Sequence, residues 1–180
     1  MLINSRMKKV LLIPFLLCAC VPVNEQSIEE APITNIINVA SEFISLHERK
    51  DRAVLRGFMG VDPVRYEWCA AFVNAVLTSQ GIPGSESVSA YPLTARSFLR
   101  WGIPVSKAEV KMGDVVVFPR GEPWQGHVGF FVTSYYKDNK LYYVILGGNQ
   151  DDKVSYELYP ASSAIGVRRW ITQQESSVYQ

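Results

Sequence analysis

From residue 33 to residue 49, apolar side chains recur at Ile33, Ile36, Ile37, Ala40, Phe43 and Ile44. Spacings of three and four put them on one stripe of an amphipathic helix. A second helix is predicted over 69–80, with Phe72, Val73, Val76 and Leu77 turned inward and Gly81 placed to end it. Asp62-Pro63 could start that helix early or shape a turn before it. The turn is preferred, because a start near Trp68 sets Cys69 in the first helical turn. A third short helix is expected over 93–101, closed by Gly102 and packed through Phe98 and Leu99. Beyond Gly113 the period changes. Residues 114–118, 127–133, 141–146 and 165–170 are short runs rich in β-branched and aromatic residues, and Lys137-Asp138-Asn139-Lys140 reads as a hairpin turn. Helices first and an antiparallel sheet second make an α+β domain over 33–171, with a polar tail over 172–180. The chain shows neither an internal repeat nor a low-complexity tract, and Gly147-Gly148 lacks the remaining spacing of a dinucleotide loop.

The N-terminus has a different character. Arg6, Lys8 and Lys9 precede an apolar run over 10–17 that is far short of the roughly 20 residues needed to cross a bilayer. Residues 1–19 therefore read as a signal peptide. Leu17-Cys18-Ala19-Cys20 resembles a bacterial lipobox, which implies cleavage before Cys20 and lipidation of its sulfur; a plain signal peptide with two incidental cysteines is the alternative. Residues 20–32 are polar and Pro-flanked, as a tether is. The expected product is an exported, membrane-anchored lipoprotein, and Val21 points to the periplasmic face of an outer membrane if the cell has two. With 18 Lys+Arg against 17 Asp+Glu, the net charge of +1 offers no electrostatic case for nucleic acid.

Cysteine arithmetic narrows the chemistry. If Cys18 leaves with the signal and Cys20 carries lipid, Cys69 is the one thiol left, without a disulfide partner. In the first turn of a helix, unpaired N–H groups and the helix dipole favour a thiolate there, and its own N–H can hold an oxyanion. A base is then needed. His47 lies among Glu48, Arg49 and Lys50 just past the first helical stripe and reads as a surface residue, which leaves His127, mounted at the start of a strand beside Gly126. Asn149, leaving the end of the next apolar strand, is the candidate to orient the imidazole, with Gln150 as the fallback. Each of the three has a plain structural reading as well: a buried small hydrophobe, a satisfied strand histidine, a turn residue.

Together, Glu67-Trp-Cys-Ala-Ala-Phe-Val-Asn74, Gly113-Asp-Val-Val-Val-Phe118, Gly126-His-Val-Gly-Phe130 and Leu146-Gly-Gly-Asn-Gln150 resemble the CHAP (cysteine, histidine-dependent amidohydrolase/peptidase) family and its NlpC-type relatives. The resemblance implies a papain-like fold, N-terminal helices packed on a small antiparallel sheet. It also implies peptidoglycan as substrate class, no metal or organic cofactor, Cys69 as nucleophile, His127 as base and Asn149 as orienting residue. Trp68-Cys69-Ala70-Ala71 departs from the Asp-Cys-Ser-Gly common in NlpC-type enzymes and lies nearer the CHAP side. Tyr66 and Glu67 are candidates to assist an oxyanion or bind a substrate amine, against simple surface roles. The expected activity is thiol-dependent cleavage of a peptidoglycan amide through an acyl-enzyme. A non-catalytic wall-binding lipoprotein and a thiol acyltransferase are the rivals.

Overall fold

The computed structural model describes residues 32–171. The expected signal peptide, the lipid-bearing Cys20, the tether through residue 31 and the tail over 172–180 lie outside the described residues. Helix α1 (Pro32–Ser41) carries the predicted stripe and buries Ile36, Ile37 and Ala40, but it ends at Ser41 and not at Arg49. A competing backbone partner stops it. Ser45 adopts a left-handed φ of 72°, and residues 45–48 lie antiparallel to 152–154. Ser45 N donates to Val154 O at 2.9 Å, Val154 N to Leu46 O at 3.0 Å and Glu48 N to Asp152 O at 2.8 Å.

Helix α2 (Arg52–Met59) was not legible in the periodicity, because arginines at 52 and 56 interrupt its short apolar face. Gly60 ends it at φ 69°, its N–H bonding Arg56 O at 2.8 Å. Phe58 stacks on Phe43 with ring centroids 4.1 Å apart, which joins α2 to the segment after α1. Arg52 pairs with Asp62 and holds its carboxyl down at about 2, and Asp62 Oδ1 also accepts the Val64 N–H at 3.2 Å. Asp62-Pro63 is thus a turn, as preferred, and α3 (Cys69–Ser79) starts late with Cys69 as its first residue. Residues 69–73, Val76 and Leu77 are all buried. A helix with so few polar positions can only sit between other layers. Here α1 and α2 cover one side of it and the sheet the other. The third predicted helix is a 3-10 helix, Ala95–Arg100.

The sheet has six strands: β1 (Ile103–Pro104), β2 (Val115–Pro119), β3 (Gly126–Lys137), β4 (Lys140–Gln150), β5 (Lys153–Pro160) and β6 (Gly166–Arg169). Their order is β1-β6-β2-β3-β4-β5, antiparallel throughout. Four of them answer the four predicted runs. β1 is too short to show a period, and β5 mixes Ser155, Glu157, Leu158 and Tyr159 without a clean apolar alternation. Val115, Val117, Val128, Phe130 and Leu146 face the helices, whereas Val116, Phe118, Phe131, Tyr143 and Ile145 build a second core with Ala161, Ala164 and Val167. The domain is therefore α+β with helices laid on an antiparallel sheet, the papain-like arrangement expected. Gly113-Asp114 proves to be a clasp. Gly113 takes φ 87°, and the buried Asp114 carboxylate receives Arg169 Nε and Nη2, each at 2.7 Å, joining β2 to β6.

The end of β4 passes so close to α3 that only glycine fits at 148. A Cβ there would stand 2.5 Å from Trp68 Cζ3 and 2.8 Å from Phe72 Cβ, both in fully buried side chains. Gly148→Ala is expected to lower stability by about 1–3 kcal/mol through overpacking. A reduced urea midpoint at unchanged slope would register it.

Candidate functional site

Cys69 occupies the first position of α3, where the backbone N–H has no acceptor inside the helix. Its side chain is almost enclosed, with the residue 4% exposed. Burial pushes the thiol up from its ordinary value; hydrogen bonding from the Val128 and Ala70 backbones and the charge of Arg120 pull it down, and Glu67 adds to the rise. The helix dipole favours a thiolate. Desolvation outweighs it, and the thiol is the resting form.

Because Val128 directly follows His127, the sulfur lies against the peptide that leaves the histidine. His127 is itself buried, 3% exposed. Burial lowers its pKa to about 4, with the Gln150 hydrogen bond acting to raise it and Arg120 to lower it. The candidate pair is therefore neutral on both sides near pH 7, not a thiolate and an imidazolium.

Gln150, and not Asn149, meets the imidazole: His127 Nε2 lies 2.9 Å from Gln150 Oε1. The Gln150 amide cannot turn over, since its Nε2 donates to Ser155 O at 2.6 Å. With Oε1 as acceptor, the imidazole proton sits on Nε2 and Nδ1 keeps its lone pair. The error over Asn149 has a geometric origin. Phe130 pairs with Leu146, so an unbroken register would set Asn149 opposite His127. The β4–β5 ladder instead shifts between Gly147 and Gln150, Asn149 takes φ 59°, and Asp151 and Asp152 follow at 51° and 61° in a tight turn. The bulge advances the phase by one residue and presents the next side chain to the ring. Gly147 leaves room for it, because a Cβ there would lie 3.1 Å from Gln150 Oε1 and 3.3 Å from His127 Nε2.

Asn149 has another partner. Its Nδ2 donates to Glu67 Oε2 at 2.6 Å, and the same oxygen lies 3.3 Å from Arg120 Nη1. Glu67 is thus drawn into the site, between the end of β4 and the loop after β2. Tyr66 is not; the residue is 58% exposed and lines neither cavity beside the site. His47 accepts the Arg49 N–H at 3.2 Å and bridges to Lys153, in keeping with its surface reading.

Tyr159 was not anticipated. Its ring lies nearly parallel to the imidazole, 13° off with centroids 5.2 Å apart, and stacks on Phe118 at 4.5 Å. Burial raises its hydroxyl to about 12, so the phenol stays neutral. No motif marks it, since it comes from the unpredicted β5. Two cavities open onto the centre. One of about 190 Å³ reaches Cys69 past Glu67, Leu93, Arg120 and Trp124. The other, about 330 Å³, reaches His127 past Arg120, Asn149 and Glu157. Arg120 lines both.

Such a site brings a thiol at a helix start, where the backbone N–H has no acceptor within the helix, close to a strand carrying a neutral imidazole. Comparison with known proteins bears on the family. No curated protein matches the sequence significantly. A solved NlpC/P60 family protein from Bacillus cereus ATCC 10987 is 18% identical over 78% of this chain, with a TM-score of 0.47. The match takes in 40% of that protein, so this chain spans less than half its length. The family model for the CHAP domain matches residues 61–149, from the turn before α3 to the bulge in β4, and takes in Cys69, Glu67, Arg120, His127 and Asn149. Residues 61–149 of the chain thus carry a CHAP domain.

Proposed function

We propose that this protein is a cysteine hydrolase that cuts an amide bond in peptidoglycan through a covalent acyl-enzyme, with Cys69 as nucleophile and His127 as general base. The observation that carries this reading is the Gln150 hydrogen bond on Nε2, which leaves Nδ1 as the basic nitrogen in a histidine whose neighbour, Val128, directs its N–H at the sulfur. As the Cys69 sulfur adds to the carbonyl carbon, its proton passes to His127 Nδ1, and the carbonyl oxygen becomes an oxyanion held by the Cys69 N–H. Collapse of the adduct breaks the C–N bond, and the imidazolium returns the proton to the departing amine. Water, deprotonated by the same nitrogen, then adds to the thioester carbon, and the C–S bond breaks as the imidazolium returns the proton to the sulfur. Starting from a neutral pair suits a buried site, because no charge has to be desolvated before substrate arrives.

The lipobox-like Leu17-Cys18-Ala19-Cys20 supports an anchored location, with the domain held by acyl chains near the wall it acts on. A wall-binding protein would bind muropeptides without cutting them, and a transferase would pass the acyl group to an amine.

Cys69→Ala is expected to abolish release of soluble fragments from purified wall, read by mass spectrometry, while the far-UV circular dichroism stays unchanged. Undiminished release would end the proposal. His127 must be neutral to act, and its pKa is lowered to about 4. The acid limb of kcat/KM should therefore fall near pH 4, with activity lost below it; a limb at the ordinary histidine pKa of roughly 6.5 would contradict the buried neutral base. Gln150→Ala should reduce kcat by about tenfold or more, through loss of the tautomer and ring direction. Asn149→Ala should cost kcat clearly less, since Asn149 does not touch the ring.

A further inference from the structure

Arg120 follows β2 and lines both cavities, between the one that reaches the sulfur and the one that reaches the imidazole. Its side chain is half-exposed and, among the described residues, has one hydrogen-bonded side-chain partner, Nη1 to Glu67 Oε2 at 3.3 Å. A pair this exposed contributes little, so another carboxylate can replace Glu67 at low cost. Glu67 is not stranded when that happens, because Asn149 Nδ2 still donates to it at 2.6 Å. On the sulfur's side the charged lining groups among the described residues are Glu67 and Arg120. On the imidazole's side Asp151 and Glu157 also face the cavity and would repel an anion. The geometry therefore favours an anion entering beside Cys69.

We propose that Arg120 is a substrate-binding residue for a carboxylate of the wall peptide near the amide to be cut, with Glu67 as the internal carboxylate that this group displaces. The proposal rests on the hydrolase reading above and extends it to the substrate's charge. A planar guanidinium can meet a carboxylate with two parallel hydrogen bonds, and an amidated substrate would forfeit that interaction. Arg120 would thus make the enzyme discriminate between free-acid and amidated walls.

The test uses the full chain carrying Cys69→Ala, so that binding is read without turnover. Two synthetic stem tetrapeptides are titrated by calorimetry, one with free carboxylates and one with each carboxylate converted to carboxamide. The free-acid peptide should bind about tenfold more tightly, as a charge-assisted hydrogen bond allows. In the Cys69→Ala/Arg120→Gln protein that ratio should fall close to one, whereas Cys69→Ala/Glu67→Gln should bind the free acid at least as tightly as Cys69→Ala does. Equal affinities with Arg120 in place, absence of binding by either peptide, or a ratio indifferent to Arg120→Gln would overturn the proposal. Hydrolysis by the unmutated chain is scored separately. If it releases no fragment from purified wall, the hydrolase reading fails, while the binding ratio still decides the role of Arg120.

Discussion

One hydrogen bond organises the site: the Gln150 carbonyl oxygen on His127 Nε2, with the other end of the same amide held by Ser155 O. An amide held at both ends cannot flip, so the imidazole tautomer is decided by the backbone of β5 and not by solvent. That arrangement needs the bulge at the end of β4, and the bulge needs two glycines. Gly148 lets β4 close onto Trp68 and Phe72 of the helical layer, and Gly147 leaves space between the amide and the ring. The same contact that packs the sheet on α3 therefore aims the residue that aims the histidine.

The electrostatic character follows from packing as well. Cys69 is the first residue of a helix whose next four residues are buried, so its sulfur is carried into the interface between α3 and β3. His127 is shut in by Tyr159 on one ring face and belongs to the strand that α3 covers. Desolvation acts in opposite directions on the two groups, raising an acid that becomes anionic and lowering a base that becomes cationic. Both shifts favour the uncharged pair. Charge lies instead at the rim, where Arg120, Glu67 and Asn149 form a polar strap across the mouth. Strong polar interactions are thus kept at the opening, where an entering group can exchange with them.

Much of this was visible in the order of residue types. The late start of α3 was preferred because it sets Cys69 in the first helical turn, and the β-branched runs after Gly113 announced the central strands. What escaped has identifiable causes. Residues 45–48, expected within the first helix, are captured by a backbone ladder to 152–154, a partner more than a hundred positions away. β5 alternates imperfectly because part of its face is exposed, and with it Tyr159 went unseen. Asn149 and Gln150 were separated only by a register shift that hydrophobic period cannot express.

Sequence alone therefore determined the first helical stripe, α3 and four of the strands, the α+β class, and the few residues able to carry thiol chemistry, because those depend on local periodicity and on a composition with one cysteine and two histidines beyond residue 20. Tertiary structure decided which amide faces the imidazole, which ring nitrogen stays basic, and that the pair rests uncharged. Each of these depends on strand register and solvent exclusion. Both arise only when segments distant along the chain are packed together.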